Sequence, residues 1–296
     1  MYPAPFEYVC ATSLDEAVRF LNERQEDAKV LAGGQSLIPL LKLRLAAPPV
    51  VLDIGRLEEL KGIREQDGRI EIGSLVRHVE LETSELLARS CPLLPETAAE
   101  VGDIQVRNRG TFGGSLAHAD PSGDFPAAAL ALDAKLTAVS VRGSRVIDVK
   151  DFFVDLMTTA LRPDEILASI EVPKLGARSG SAYAKMHQPA SGFAIVGVAS
   201  ILTLDAKGKV EDARVGITGV AAVPYRARAV EESLRGRVPD VRAIAEAASA
   251  AASAEGAEVL SDLHASSEYR RELAAIYTRR SLERAAARAR KAGIVS

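Results

Sequence analysis

The sequence predicts an α+β fold built in two or three lobes, and three observations carry the prediction. The chain has 296 residues, more than a single compact core usually serves. Its first fifty-odd residues alternate a helix-period segment with short apolar runs. From residue 56 onward, hairpin signals replace that alternation, and the last part is alanine-rich with helical spacing.

The elements follow in order. Ser13-Leu14-Asp15-Glu16 has the form of a capping box, and Leu14, Ala17, Val18 and Leu21 continue at helical spacing. Lys29-Val30-Leu31-Ala32 is a short buried-strand candidate that ends at Gly33-Gly34. Leu37 to Leu45 is apolar with basic interruptions, and Val50-Val51-Leu52-Asp53-Ile54 is a second strand candidate. Residues 1–55 therefore read as a small α/β unit with a Gly-Gly turn at a strand end, a common place for ligands. Asp67-Gly68 lies between Ile63 and Ile70-Glu71-Ile72, a hairpin signal. Val79 to Leu87, Leu93 to Val101 and Phe125 to Leu132 read as helices. Lys135 to Val141 and Arg145 to Val149 flank Gly143 as a second hairpin, and Ile166 to Val172 is a strand stopped by Pro173. Leu175 to Ser181 is small, polar and unpatterned, which predicts a linker. Phe193 to Leu204 and Val210 to Val220 read as strands around Lys207-Gly208. Val241 to Ala254 and Tyr269 to Lys291 read as helices. The last is arginine-rich but carries Glu272 and Glu283, so it predicts a solvated or partner-facing face.

Composition excludes several function classes. A net charge of −3 gives no basic footprint for nucleic acid, and 4% aromatic residues with no tryptophan give no platform for stacking bases. No apolar run is long enough for a membrane span. The start lacks a basic segment followed by an apolar one, so a cytoplasmic location is expected. The two cysteines, Cys10 and Cys91, are too few for an iron–sulfur cluster, and the four histidines lack zinc spacing. Reduced thiols are expected, with metal chemistry on another chain.

Two glycine-pair segments are the candidate binding elements. In Ala32-Gly33-Gly34-Gln35-Ser36, the glycines can turn successive backbone N–H groups toward one point, an anion nest suited to a diphosphate. The same residues also suit a tight strand-to-helix turn with no ligand. In the second segment, Thr111 and Ser115 place hydroxyls on either side of Gly113-Gly114. Asp124, before Phe125-Pro126, reads either as a helix cap or as an acceptor for a ligand hydroxyl. Asp120 suits an Asx-type turn before Pro121. Neither segment is a G-x-G-x-x-G or G-x-x-x-x-G-K-[ST] motif, and no nucleophile elbow, HExxH or acid–base pair stands out. Such a chain holds a group and leaves the side-chain chemistry to it.

Four segments in order, AGGQSLIPLLKLRL (32–45), RNRGTFGGSLAHADPSGDFPA (107–127), DEILASIEVP (164–173) and YAKMHQPASGFAIVGVA (183–199), resemble the medium, FAD-binding subunit of the molybdenum hydroxylases. That family includes carbon monoxide dehydrogenase and xanthine dehydrogenase, and QPASGFA leans toward the former branch. The resemblance covers nearly the whole chain. It implies a two-lobed FAD-binding domain of the vanillyl-alcohol-oxidase type over residues 1–176, with lobes of about 1–55 and 56–176. A smaller α+β domain would follow over 177–296.

The resemblance further implies that Val30, Leu31, Ala32, Gly33, Gly34, Gln35, Ser36 and Leu37 line the FAD diphosphate. Thr111, Gly113, Gly114 and Ser115 would approach from the other lobe. Asp124 would meet the ribityl or diphosphate region, Leu167 the ring system and Lys185 its polar edge. Phe193 would lie against the isoalloxazine or, alternatively, open a strand from the core. Val101 falls where some relatives carry a stacking aromatic, a departure from the family pattern. Molybdopterin and two 2Fe–2S clusters are implied on a large and a small partner subunit, in a dimer of heterotrimers. This chain would pass electrons through FAD to an external acceptor. The alternatives are a self-sufficient FAD oxidase and a scaffold that no longer binds flavin.

Overall fold

The structure, a computed structural model, describes residues 2–253 and 258–293. Three sheets organise it. The first unit comprises β1 (Glu7–Cys10), α1 (Leu14–Arg24), β2 (Ala28–Leu31), α2 (Leu37–Lys42) and β3 (Val50–Asp53). The strands are parallel in the order β1-β3-β2, with Val9 and Val30 both in register with Leu52. Helix α1 buries Ala17, Val18 and Leu21 against them. Its cap differs from the expected box. Ser13 Oγ accepts the N–H of Glu16 at 3.2 Å, but the Glu16 carboxylate turns to the backbone N–H and hydroxyl of Thr12. The segment after Leu31 leaves from the carboxyl edge of this sheet.

The second unit is antiparallel. It contains β4 (Ile63–Gln66), β5 (Arg69–Gly73), α3 (His78–Glu82), α4 (Glu85–Ser90), α5 (Leu93–Ala99), α6 (Ile104–Arg109), α7 (Phe112–His118) and α8 (Asp124–Ala131). It continues with β6 (Lys135–Ser140), β7 (Gly143–Asp148), a small β8 (Phe153–Asp155) and β9 (Thr158–Thr159) ribbon, and β10 (Ile166–Pro173). The main sheet has the order β4-β5-β10-β6-β7. Both expected hairpins are present; Asp67 and Gly68 take φ of 50° and 74° at the first turn, the left-handed pair that matches strand twist. The helix expected over Val79–Leu87 is two, because Ser84 Oγ caps a new helix through the N–H of Leu87.

The third unit comprises β11 (Ser179–His187), β12 (Ala194–Leu204), β13 (Val210–Thr218), β14 (Tyr225–Arg226), α9 (Arg228–Leu234), α10 (Val241–Ala248) and α11 (Ser267–Ala292). The strands are antiparallel in sequence order. The expected linker over 175–181 is shorter than read, since Ser179 already pairs with Thr203. Its small residues serve close packing: a Cβ at Gly180 would overlap the carbonyl of Ala285 on α11. Helix α10 stops at Ala248, short of the expected Ala254, which lies outside the described residues. Helix α11 buries Leu273, Ala274, Leu282, Ala285, Ala286 and Ala289 on the sheet. Several of its arginines turn inward as well: Arg270 donates to the carbonyls of Ile195 and Gly219, and Arg284 to that of Tyr183.

Helix α8 joins the second and third units. Every residue of it is buried, and Tyr183, Ala199 and Ile201 of the third sheet share its core cluster. No described helix is long and apolar enough to cross a membrane.

Candidate functional site

The first glycine segment leaves the carboxyl end of β2 and enters α2. Gly34 has φ of 76°, which a side chain resists, and a Cβ there would meet Ile38 Cδ1 at 2.7 Å. The backbone N–H groups of Gly33, Gly34, Gln35, Ser36 and Leu37 have no acceptor among the described residues. The Ser36 side chain makes no cap bond to α2. Five successive free donors at a helix start form the nest that the glycines allow.

The second segment is helical. Thr111 caps α7, so Gly113 and Gly114 lie in its first turn. Its donors are occupied: Phe112 N–H bonds Val76 O, Gly113 N–H bonds Ser74 O and Gly114 N–H bonds Thr111 Oγ1. This segment therefore offers the partly exposed side chain of Ser115 and a close backbone surface, and no second anion nest. The two segments meet directly. A Cβ at Gly33 would overlap the Arg109 carbonyl and lie 2.9 Å from Gly110 Cα; one at Gly114 would lie 3.8 Å from Ala32 Cβ.

A second cluster forms where α8 faces β11. Gly123, not Asp124, is the helix cap, and Asp124 is the first residue of α8, buried to 5% exposure. Its carboxylate accepts from Tyr183 OH at 2.5 Å and from Lys185 Nζ at 2.8 Å. Lys185 Nζ also donates to Glu100 O at 2.8 Å. Burial pushes the Asp124 carboxyl up, and the Lys185 charge and both hydrogen bonds oppose the rise. The Tyr183 hydroxyl is raised well above its ordinary value by burial and by the Asp124 charge.

Val101 is half-buried beside this cluster and its carbonyl accepts from Arg107. The next residue, Gly102, abuts Gly192 in the loop after β11, where a Cβ on Gly192 would approach Gly102 Cα to 3.3 Å. Phe193 ends that loop, one residue before β12, and is 45% exposed. It is not a core residue opening the strand. With Asp120, Ser122, Gln188, Asp262 and Arg270 it lines a cavity of about 290 Å³. Asp120 makes the expected Asx-type turn, accepting the Ser122 N–H at 2.8 Å. Leu167 is buried in β10 at a bulge, and the adjacent Ala168 carbonyl holds the N–H of Ser74, the residue under Gly113.

The structure thus brings residues 32–36 onto 109–115, and gathers Val101, Asp124, Lys185 and Phe193 around the start of α8. The sequence reading missed Tyr183 and Glu100. Tyr183 was findable: it stands two residues from Lys185, and in a strand that spacing puts both side chains on one face.

Comparison with known proteins settles the family. A profile described as the FAD-binding domain in molybdopterin dehydrogenase matches residues 4–175. The chain belongs to this family. A second profile, the CO dehydrogenase flavoprotein C-terminal domain, matches residues 181–285. The 6-hydroxypseudooxynicotine dehydrogenase complex subunit alpha of Paenarthrobacter nicotinovorans is 40% identical over 98% of this chain and 97% of its own. The carbon monoxide dehydrogenase medium chain of Hydrogenophaga pseudoflava is 36% identical over 97% of this chain and 99% of its own. A solved structure of carbon monoxide dehydrogenase from that organism superposes with a TM-score of 0.93 at 37% identity, covering 97% and 99% of the two chains. Quinoline 2-oxidoreductase from Pseudomonas putida 86 superposes with a TM-score of 0.90 at 33% identity, covering 99% and 100%. The chain is an FAD-binding medium subunit of a molybdenum hydroxylase complex, and so an oxidoreductase subunit.

The residues present fit FAD. Gly33 to Leu37 carry unpartnered donors of the kind a diphosphate would accept, and the absence of a side chain at Gly33 and Gly34 keeps their backbone approachable. When bound, FAD supplies the redox chemistry.

Proposed function

We propose that this chain is the electron-transfer flavoprotein of its complex. It receives electrons from 2Fe–2S clusters on a small subunit, after a large molybdopterin subunit has oxidised substrate, and delivers them from FAD to an external acceptor. The observation that carries the reading is the run of unpartnered N–H groups from Gly33 to Leu37, closed against residues 109–115. In this reading Val30 to Leu37 line the diphosphate, with the Gly33 to Leu37 amides as its donors, and Thr111, Gly113, Gly114 and Ser115 close it from the other side. Asp124 and Lys185 meet the ribityl and polar edge, and Val101, Leu167 and Phe193 border the ring systems. Residues 1–176 form the FAD-binding domain and 177–296 the C-terminal domain.

Relatives of this length are named for 6-hydroxypseudooxynicotine, glyceraldehyde and carbon monoxide. One medium-chain fold under such different substrates supports placing substrate choice on the large subunit. The complex is a dimer of heterotrimers in the cytoplasm, where Cys10 and Cys91 stay free. The test is to express the chain alone and with both partner subunits, then measure flavin, molybdenum, iron and turnover. Flavin on this chain alone, with substrate oxidation only in the complex, is the expected result. A colourless chain that refuses added FAD, or an isolated chain that oxidises substrate unaided, would overturn the proposal.

A further inference from the structure

Tyr183 lies on β11, outside the flavin-contacting residues placed above, yet it binds the same carboxylate as Lys185. Its side chain is 1% exposed, and its hydroxyl donates to Asp124 Oδ1 while Lys185 takes Oδ2. The Lys185 ammonium carries three N–H donors. One goes to Asp124 and one to the Glu100 carbonyl; the third has no acceptor among the described residues. The side chain is fully buried, and a buried ammonium with an unspent donor beside a ligand site points at a ligand. The pair straddles the two halves of the chain, with Asp124 on α8 and Tyr183 and Lys185 on the C-terminal sheet.

We propose that Tyr183 is a positioning residue of the flavin site: its hydroxyl pins the Asp124 carboxylate beside Lys185, and so fixes the ammonium that the C-terminal sheet presents to FAD. This rests on the functional reading above, which places Lys185 at the flavin. A tyrosine suits the task because a neutral donor orients the carboxylate without neutralising it, so the Lys185 charge remains balanced by one anion. The hydroxyl also opposes the upward push of burial on Asp124.

Besides Lys185 and Tyr183, His187 acts on this carboxylate, and further titratable or charged groups stand on the elements packed around it, among them Arg284 of α11, which donates to the Tyr183 carbonyl. His187, at the end of β11, pairs with the Glu100 side chain at 2.9 Å. From α3, the His78 ring packs on Phe125 at 4.9 Å. His118 and Asp120 flank the loop before α8 and lie 3.9 Å apart. Arg226 and Asp133 sit at the opposite end of α8, where Arg226 reaches the Leu130 carbonyl; Arg214 joins them through Asp133.

The experiment titrates FAD into the full chain freed of its flavin, read by flavin fluorescence at pH 8 and pH 6. Tyr183→Phe keeps the ring and removes only the hydroxyl. It should bind FAD about tenfold more weakly than wild type, with a loss that deepens as pH falls, because the carboxylate has lost an orienting donor and one of the bonds that oppose its protonation. Asp124→Asn and Lys185→Met should bind weakly at both pH values. Wild-type affinity of Tyr183→Phe at both pH values overturns the inference, and so does a Tyr183→Phe loss of unchanged size in a Lys185→Met background, which would place the hydroxyl's effect outside the Lys185 ammonium. Should Tyr183→Phe fail to fold, Lys185→Met with undiminished affinity overturns it independently. Wild type that takes no FAD at either pH would sink the functional reading itself, a separate outcome.

Discussion

Gly33→Ala is expected to pry apart the two loops proposed to cradle the flavin. The added methyl would overlap the Arg109 carbonyl oxygen and sit 2.9 Å from both Arg109 C and Gly110 Cα. All three are backbone atoms, so no side chain can rotate away. Carbon atoms in contact settle at about 3.5–4.0 Å, so the loops must part by roughly 1 Å. Overpacking of this kind costs about 1–3 kcal/mol of stability. The effect on FAD is larger, because the amides from Gly33 to Leu37 move with the loop. Losing two hydrogen bonds to a charged phosphate, at about 1.5–3 kcal/mol each, weakens binding at least about a hundredfold. The assay is the fluorescence titration of flavin-free protein, beside a thermal melt. Ile217→Val, buried in β13 away from the cradle, is the control: it should cost about 0.5–1.5 kcal/mol and leave FAD affinity unchanged. A Gly33→Ala protein that binds FAD within about threefold of wild type would refute the placement of the diphosphate against this loop.

Three further outcomes are expected. Gly114→Val should lose flavin on gel filtration, because its side chain would press on Thr111 Oγ1, 2.6 Å from the added Cβ, and fill the gap to Ala32; full flavin retention would contradict this. Phe193→Ala should change unfolding stability by less than about 0.5 kcal/mol, since the ring is 45% exposed, yet alter the absorption and fluorescence of bound flavin; an unchanged spectrum would remove Phe193 from the ring's surroundings. Burial holds the His78 imidazole at about 4, below its ordinary 6.5. Between those values the unfolded chain binds more protons, so stability is full above pH 6.5 and falls toward pH 4, by roughly 3 kcal/mol. His78→Leu should flatten that part of a melting-temperature profile, and an unaltered slope would assign it to other groups.

Local pattern was enough where an element answers to its own residues. The strands at Val30 and Val50, the Asp67-Gly68 turn and the Lys135–Asp148 hairpin follow from apolar runs and turn chemistry. The two glycine segments were visible as unusual, because paired glycines with flanking hydroxyls are costly unless something must come close. Family resemblance then gave the cofactor. It left Phe193 undecided, because one aromatic before a strand reads equally as core or as contact. Its 45% exposure excludes the core.

The sequence by itself determined which residues could approach a diphosphate and that a flavin-holding medium subunit was encoded. Tertiary structure decided which of those residues still have hydrogen bonds to give. Phe112, Gly113 and Gly114 spend theirs on Val76, Ser74 and Thr111, whereas Gly33 to Leu37 keep theirs. It also decided that Asp124 faces Tyr183 and Lys185. The physical reason is that a donor's availability and a carboxylate's partner depend on segments distant in the chain, Ser74 and Val76 for the one and Tyr183 and Lys185 for the other, and no local pattern records which of them the fold brings near.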